Sequence, residues 1–318
     1  MWMTILRRLL LSALTLLALA VFIFVATEVM PGDALDVVLS SDEIANIPPE
    51  KLARMKHDLG LDKPATERLG QFLWGAVQGD FGRTLISKAP VSSIVAYPMR
   101  NSVSLALVVL AVAIPVALLV GVASAYWHRR TVDHLISVGA IVGYSIPEFV
   151  MGTMLVILFA VMLPWFPATI TVDTRGPVSD LIQASTLPVA TIVIGSVAYL
   201  GRLLRVGMIE ALASDSVERL RLTGVPEWRV VFRHALPAAI IPALTAMALY
   251  AAALVSGIVV VELVFSIPGL GQELVRAVVR REVHVVQAIA MASALMVVSF
   301  NLMADLTILA LDPRTRAA

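Results

Sequence analysis

Cysteine is absent from all 318 residues. That excludes a disulfide framework, thiolate metal sites and cysteine nucleophiles, and leaves the compartment open. Charge is scarce: Asp, Glu, Lys and Arg make up 15% of the chain, and the lysines are confined to Lys51, Lys56, Lys63 and Lys88. No glycine is followed by lysine, so the phosphate loop G-x-x-x-x-G-K-[ST] is missing and the chain has no visible means of binding ATP in that manner. His57, His128, His134, His234 and His284 form no H-E-x-x-H arrangement or comparable cluster. No metal site is expected from them.

What is abundant is apolar sequence. Hydrophobic residues make up 59% of the chain, and the mean hydropathy is +0.89. Runs of about 20 apolar residues argue for membrane spans. Six are expected, at about 9–29, 103–126, 135–163, 187–207, 238–265 and 286–309. Backbone satisfaction in lipid makes them helices, because the alternating ten-residue segments of a barrel are missing. The expected fold is therefore an all-α polytopic membrane protein. Ala18-Leu19-Ala20 has the small residues of a signal-peptide cleavage site, but VFIFVA follows and extends the apolar run. The first span is expected to stay uncleaved. Pro115, Pro164 and Pro188 fall within or at the ends of spans, where kinks or boundaries are ordinary.

Orientation follows from arginine placement. Arg7 and Arg8 precede span one, Arg129 and Arg130 lie between spans two and three, and Arg314 and Arg316 follow span six. Arg202, Arg205, Arg219, Arg221, Arg229 and Arg233 flank or fill the loop between spans four and five. With six spans all four clusters share one side, so both termini are expected in the cytoplasm. The loop after span three holds only Arg175, as an outside loop should.

The expected division is residues 1–30 for the N-terminal end and first span, 31–100 for a small extracytoplasmic domain, 101–311 for the remaining spans and 312–318 for a tail. In the outer domain, Pro48-Pro49-Glu50 followed by KLARMKHDLG reads as a proline-started helix ending at Gly60, and LGQFLWGAVQGDFG as a second amphipathic stretch.

The most structured polar stretch is DSVERLRLTGVPEWRVVFRHALP, Asp215 to Pro237. Asp215 is placed to cap a helix, with Glu218 three residues on reaching back to the cap amide. Gly224 permits a left-handed turn that ends this helix. Pro226 then opens a second helix at its first position, and Pro237 halts hydrogen bonding near the membrane. Trp228, Val231, Phe232 and Ala235 make an apolar stripe beside Arg229 and Arg233. Such an elbow suits either an interfacial helix pair in lipid headgroups or a docking surface for a soluble partner. The residues alone leave both open.

Some single residues have simpler explanations. Glu28 and Asp305, near span ends, are expected to snorkel or pair, and Arg202 and Arg205 to snorkel. Glu148 follows Ile146-Pro147 at a helix start, where a carboxylate complements the helix dipole. Gly139-x-x-x-Gly143 offers close helix approach.

The spacing of Glu218, Gly224, Leu236 and Pro237 resembles the EAA loop of ABC-transporter permeases: E-A-A, three residues, Gly, nine residues, I-x-L-P. Arg219 and Leu220 stand where the alanines would be, and His234 where the isoleucine would be. The "RHAL" before the proline is similar to the peptide and nickel permease branch. So are MPGDA, HDLGLDKP, GDFGRTL, APVSSIV, SIPEFVMG, VFSIPGLGQELVRAV and LDPRTR, in this order along the chain. REVHVVQ departs from that branch's acidic-aromatic-proline run at Glu282 to His284.

The resemblance is to B-type subunits of dipeptide, oligopeptide and nickel permeases. It implies a type I ABC importer fold in a bacterial inner membrane. The implied partners are a homologous second permease in a heterodimer, two ATP-binding subunits, an extracytoplasmic solute-binding protein and the bilayer, with no nucleic acid. ATP would be bound by the partner subunits, leaving this chain without catalytic, cofactor or metal residues. The coupling residues would be Asp215, Glu218, Arg221, Gly224, Leu236 and Pro237, with Arg221 facing acidic groups on the ATPase. Peptides are the default cargo; relatives carry nickel chelates, glutathione or sugars. A gradient-driven transporter would want inverted repeats and midplane ionisable residues, and a membrane enzyme a polar cluster inside the spans; neither is evident.

Overall fold

The computed structural model describes residues 2–28, 48, 50, 63–84 and 87–311. The regular elements among them are helices: α1 Trp2–Glu28, α2 Ala65–Gln78, α3 Val91–Tyr126, α4 Thr131–Ser145, α5 Glu148–Val156, α6 Val178–Ala184, α7 Thr186–Leu212, α8 Asp215–Leu222, α9 Glu227–Arg229, α10 Leu236–Phe265, α11 Leu270–Val279 and α12 Val283–Leu311. Wide-turn π segments, Ile157–Met162 and Val230–Ala235, follow α5 and α9. The expected helix from Pro48 to Gly60 falls largely outside the described residues, as do MPGDA and most of LDPRTR.

Four helices are long and apolar enough to cross a membrane, and six spans result if each of two bent pairs counts as one. The all-helical, polytopic expectation therefore holds, but two details differ. The helix of span two begins at Val91, not at 103. Its first turns carry Ser92, Ser93 and Arg100, yet Val91 and Val95 are buried against Leu270 of α11 and Val285 and Ile289 of α12. Span three is not a single rod: α4 and α5 are bent by 103°. Pro147 lacks an amide proton and forces Ile146 into extended backbone, φ −86 and ψ 123, so no helix can run through. Span five ends at Phe265 as expected, and does so at a break: Ser266 takes φ +55, and α11 departs at 73°.

α7 is the central post. It packs along α3 and α10 and also touches α4 and α5. Two buried apolar layers share these helices. One gathers Leu105, Val109, Ile192, Ile258 and Phe265, and the other Ala117, Leu200, Leu204, Met208 and Ala239. Gly143 lets α4 approach α7: a Cβ there would lie 3.2 Å from Ile194, whereas Gly139 faces open space. α1 lies at the edge against α12, where Asp305 pairs with Arg8 and Gln287 donates to Thr27 at 2.8 Å. α2 joins α1 through Phe72, whose ring centroid is 5.9 Å from that of Phe24.

The break before α11 is sealed by a carboxylate. Glu262 is fully buried at 0% exposure. Ser102 of α3 donates to its Oε1 at 2.5 Å, and the Gly271 amide to its Oε2 at 2.7 Å. The Ser102 hydroxyl in turn accepts from the Leu270 amide at 2.9 Å, and Asn101 donates to the Pro268 carbonyl at 2.9 Å. These groups satisfy the first amides of α11 and the turn before it. The glycines there are required by contact, because a Cβ on Gly271 would lie 2.8 Å from the Val259 backbone. Ser102→Ala leaves the Leu270 amide and the carboxylate short of partners, and is expected to cost about 1–3 kcal/mol. A lowered thermal unfolding midpoint in detergent checks this; an unchanged midpoint contradicts it.

Candidate functional site

The elbow stands between α7 and α10. α8 carries Asp215 and Glu218 in its first turn and Arg219 and Arg221 in its last, an order that complements the helix dipole. One face is anchored: Val217, Val230, Val231 and Ala235 are buried with Leu204 and Met208 of α7. The other face is open, and Asp215, Glu218, Arg221 and Gly224 are all exposed.

Gly224 sits at φ +78, as its left-handed turn requires. The Gly224 amide donates to the Arg221 carbonyl at 3.0 Å and the Val225 amide to the Leu220 carbonyl at 3.1 Å. This is the paired closure of a Schellman motif, and Val225 and Leu220 both pack on the buried layer. A Cβ at Gly224 would meet nothing within 4 Å. The demand for glycine is therefore one of backbone conformation, not space.

The remaining local expectations need correction. Asp215 is not the cap: Ser214 holds that position with extended backbone, φ −72 and ψ 147, and no side chain caps the helix. The Ser214 hydroxyl instead donates to the Ala211 carbonyl at 2.7 Å. Glu218 does not reach back; its amide donates to the Ser214 carbonyl at 3.1 Å. Pro226 is the cap of α9, one residue before the position expected.

Pro237 does not halt the helix. It lies in the first turn of α10, which continues from the π segment through helical backbone at Ala235 and Leu236. The wider π turn makes room for the proline ring and its missing amide. The apolar stripe also splits. Val231 and Ala235 point inward, while Trp228 and Phe232 are 62% and 53% exposed beside Leu222 at 81%. The Arg229 guanidinium lies 5.2 Å over the Trp228 ring.

Arg221 was expected to face a partner, but it closes the elbow internally. Its Nη2 donates to Glu227 Oε1 at 2.6 Å and its Nε to Oε2 at 3.2 Å. The hydrogen-bonded guanidinium holds the Glu227 carboxyl below its usual range, and the same pairing raises Arg221. The fork spans the Gly224 turn and fixes the angle between α8 and α9.

A second polar anchor was missed at sequence level. Asp133, at the start of α4, is 2% exposed. It accepts from Arg205 Nε at 2.7 Å and Nη2 at 2.8 Å, from Ser124 Oγ at 2.6 Å and from the Arg129 amide at 3.0 Å. Arg205 therefore does not snorkel; it bolts α7 to the turn between α3 and α4. The available signal was a lone acid in the basic run HRRTVDH. Among the described residues no group of three or more His, Asp or Glu could hold a metal. Asp133→Asn strands the Arg205 charge beside an amide and is expected to destabilise by about 3 kcal/mol. Thermal unfolding in detergent measures it; a shift no larger than that of an exposed Asp→Asn control would contradict the bolt.

Residues 113–317 match the family model for the inner membrane component of binding-protein-dependent transport systems. Residues 1–117 match the model for the N-terminal part of such a component. A Brucella abortus protein named as a peptide transport system permease is 32% identical over 312 residues, 98% of each chain. A Brucella suis protein of the same description is 32% identical over 310 residues, again 98% of each chain. The glutathione transport system permease of Salmonella typhimurium is 32% identical over 312 residues and 98% of each chain. An elbow rooted in two spans, on a polytopic helical chain matched by these models from end to end, belongs to a family member: this chain is one of the inner-membrane components of binding-protein-dependent transport systems.

Proposed function

We propose that the chain is a permease subunit of an ATP-driven importer of peptides, and that the elbow is where the driving force enters. The observation that carries this reading is the build of the elbow. A short charged helix is held at a fixed angle by the Gly224 closure and the Arg221–Glu227 fork, with Leu222, Trp228 and Phe232 exposed beside it. A rigid, apolar-tipped projection suits a groove on a soluble subunit. Its roots in α7 and α10 would carry a push into the spans. The Arg205–Asp133 bolt would pass the same movement to α4, so that the helices swing as one body and alternate access between the two sides.

The division of labour follows. ATP would be bound and hydrolysed by two partner subunits, leaving this chain non-catalytic and without a cofactor. A homologous second permease would complete the path as a heterodimer, and an external binding protein would deliver cargo. Arginine placement supports an orientation with the elbow and both termini in the cytoplasm of a bacterial cell and the chain in its inner membrane. Asp215 and Glu218, exposed on α8, are the elbow's acidic contacts in this scheme, while Leu236 and Pro237 join it to the span. The relatives named for peptide and glutathione transport support a small peptide as cargo, glutathione being itself a short peptide.

Gly224→Val tests the coupling role. Forcing a branched residue left-handed costs about 1–2 kcal/mol, enough to disturb the elbow without unfolding the spans. Uptake in cells is expected to fall at least tenfold while membrane insertion stays normal and Gly224→Asn retains most activity. An affinity-tagged chain is also expected to bring down an ATPase subunit, less of it with Gly224→Val. Unchanged uptake and ATPase recovery would sink the reading, and leave the exposed aromatics as headgroup anchors.

A further inference from the structure

The bend between α4 and α5 packs on α7 through glycines on either side of it. On one side of it, a Cβ on Gly143 would lie 3.2 Å from Ile194 and 3.8 Å from Ala198 of α7. On the other, a Cβ on Gly152 would lie 3.4 Å from Thr191. Within the stretch of α7 that these contacts bracket lies Gly195, where a side chain would meet nothing within 4 Å. Glu148 is the first helical residue after the bend. It is partly buried, and it makes no hydrogen bond or ion pair among the described residues. Its Oε2 lies 2.6 Å from where a Cβ of Gly257 would be, so the carboxylate rests on bare backbone of α10.

From Gly195 the same face of α7 continues through Tyr199 to Arg202, since steps of four and three residues stay on one side of a helix. The Tyr199 ring stacks on Tyr144 of α4 at 6.0 Å and meets Tyr250 of α10 at 6.2 Å. The Tyr250 hydroxyl lies 2.5 Å from that of Ser196. Arg202 sits 5.6 Å over the Tyr144 ring and lines an open pocket of 340 Å³ with Tyr199. Unlike Arg205, it has no ion pair among the described residues.

We infer that Glu148, the three tyrosines and Arg202 form this chain's wall of the substrate path, holding a peptide of about three to six residues by its two charged ends. An ionisable group within an apolar span is costly and points to a functional site. Glu148 touches Gly257, seven residues along α10 from the Tyr250 that meets Ser196, and Arg202 lies six residues from Ser196 on α7, so the two charges stand about 10–20 Å apart. An extended chain rises at most about 3.3–3.6 Å per residue, so a peptide of about three to six residues spans that distance. Its ammonium meets Glu148, its carboxylate meets Arg202, and the tyrosines flank the backbone between them with hydroxyls and ring faces. Nothing in this arrangement selects among side chains. The assignment rests on the peptide-import reading above and names the groups that perform it.

The test uses the complete transporter in proteoliposomes with its binding protein saturated. Uptake is measured for Ala-Ala-Ala, N-acetyl-Ala-Ala-Ala and Ala-Ala-Ala amide, and compared as ratios so that the amount of folded protein cancels. Glu148→Gln is expected to lower the preference for the free over the acetylated peptide at least fivefold, leaving the free-to-amide ratio within twofold. Arg202→Gln is expected to do the reverse. Glu148→Asp should keep the wild-type preference within threefold.

Ratios unchanged in both variants, or falling together in each, overturn the assignment. So does an Arg202→Gln defect that scales with the anionic phospholipid content of the vesicle, which makes Arg202 a headgroup contact. If the unaltered transporter takes up no tripeptide, the import reading fails along with the assignment; if it does and the crossed pattern is missing, only the assignment fails.

Discussion

Everything in this structure answers to one constraint: inside a bilayer, each backbone amide and carbonyl needs a partner supplied by the protein itself. Continuous helix meets that demand cheaply, which is why most of the described chain is helical. The informative places are those where the helix stops. Before α11, the exposed amides are met by Glu262 and Ser102, residues far apart in sequence that converge on one turn. At the other end of the molecule, Asp133 does comparable work for the turn that joins α3 to α4. Breaks of this kind are retained only where the surrounding residues can absorb them, and both lie beside elements that the proposed transport cycle would move.

The two polar anchors differ in kind. The Glu262 knot draws on one carboxylate, one hydroxyl and backbone groups, and involves no cation. It fixes local chain direction. The Asp133 site is a charge pair with a two-pronged guanidinium, and links helices distant in sequence. One shapes a turn; the other joins moving parts. The Arg221–Glu227 fork belongs with the second type but lies in solvent, where such a pair contributes little to stability. Its value is geometric, since it sets the angle at which α8 is presented.

Hydropathy alone was enough to place six apolar segments and the helical class, because lipid leaves the backbone little choice. The elbow was also legible, since Gly224 and the prolines have conformational meaning independent of context. Finer features were hidden for physical reasons. The start of α3 at Val91 depends on tertiary burial of a polar-looking segment, which no window average reports. Pro147 announced a break but not its angle, and Pro237 announced a stop that a wider upstream turn made unnecessary. Asp133, a lone acid in a basic run, and Glu262, a lone acid in an apolar one, take on their roles only when α3 is brought beside α7 and α10. Arg221 satisfied its charge within the chain because Glu227 falls just across the turn, a proximity that sequence distance does not reveal.

The π segment Val230–Ala235 has a further consequence. A turn that holds one residue more than an α-helical turn shifts all that precedes it by about 100° around the helix axis. Along this rod Val230, Val231, Ala235, Ala239, Ala243, Ala246 and Met247 are buried, so one inward face runs from the elbow into α10 across the wide turn. The surplus residue sets the phase between them, and the elbow's apolar root and the inner face of α10 point the same way. The segment thus works as an angular offset between two gears on one shaft, and the heading of α8 is chosen independently of how α10 lies in the membrane.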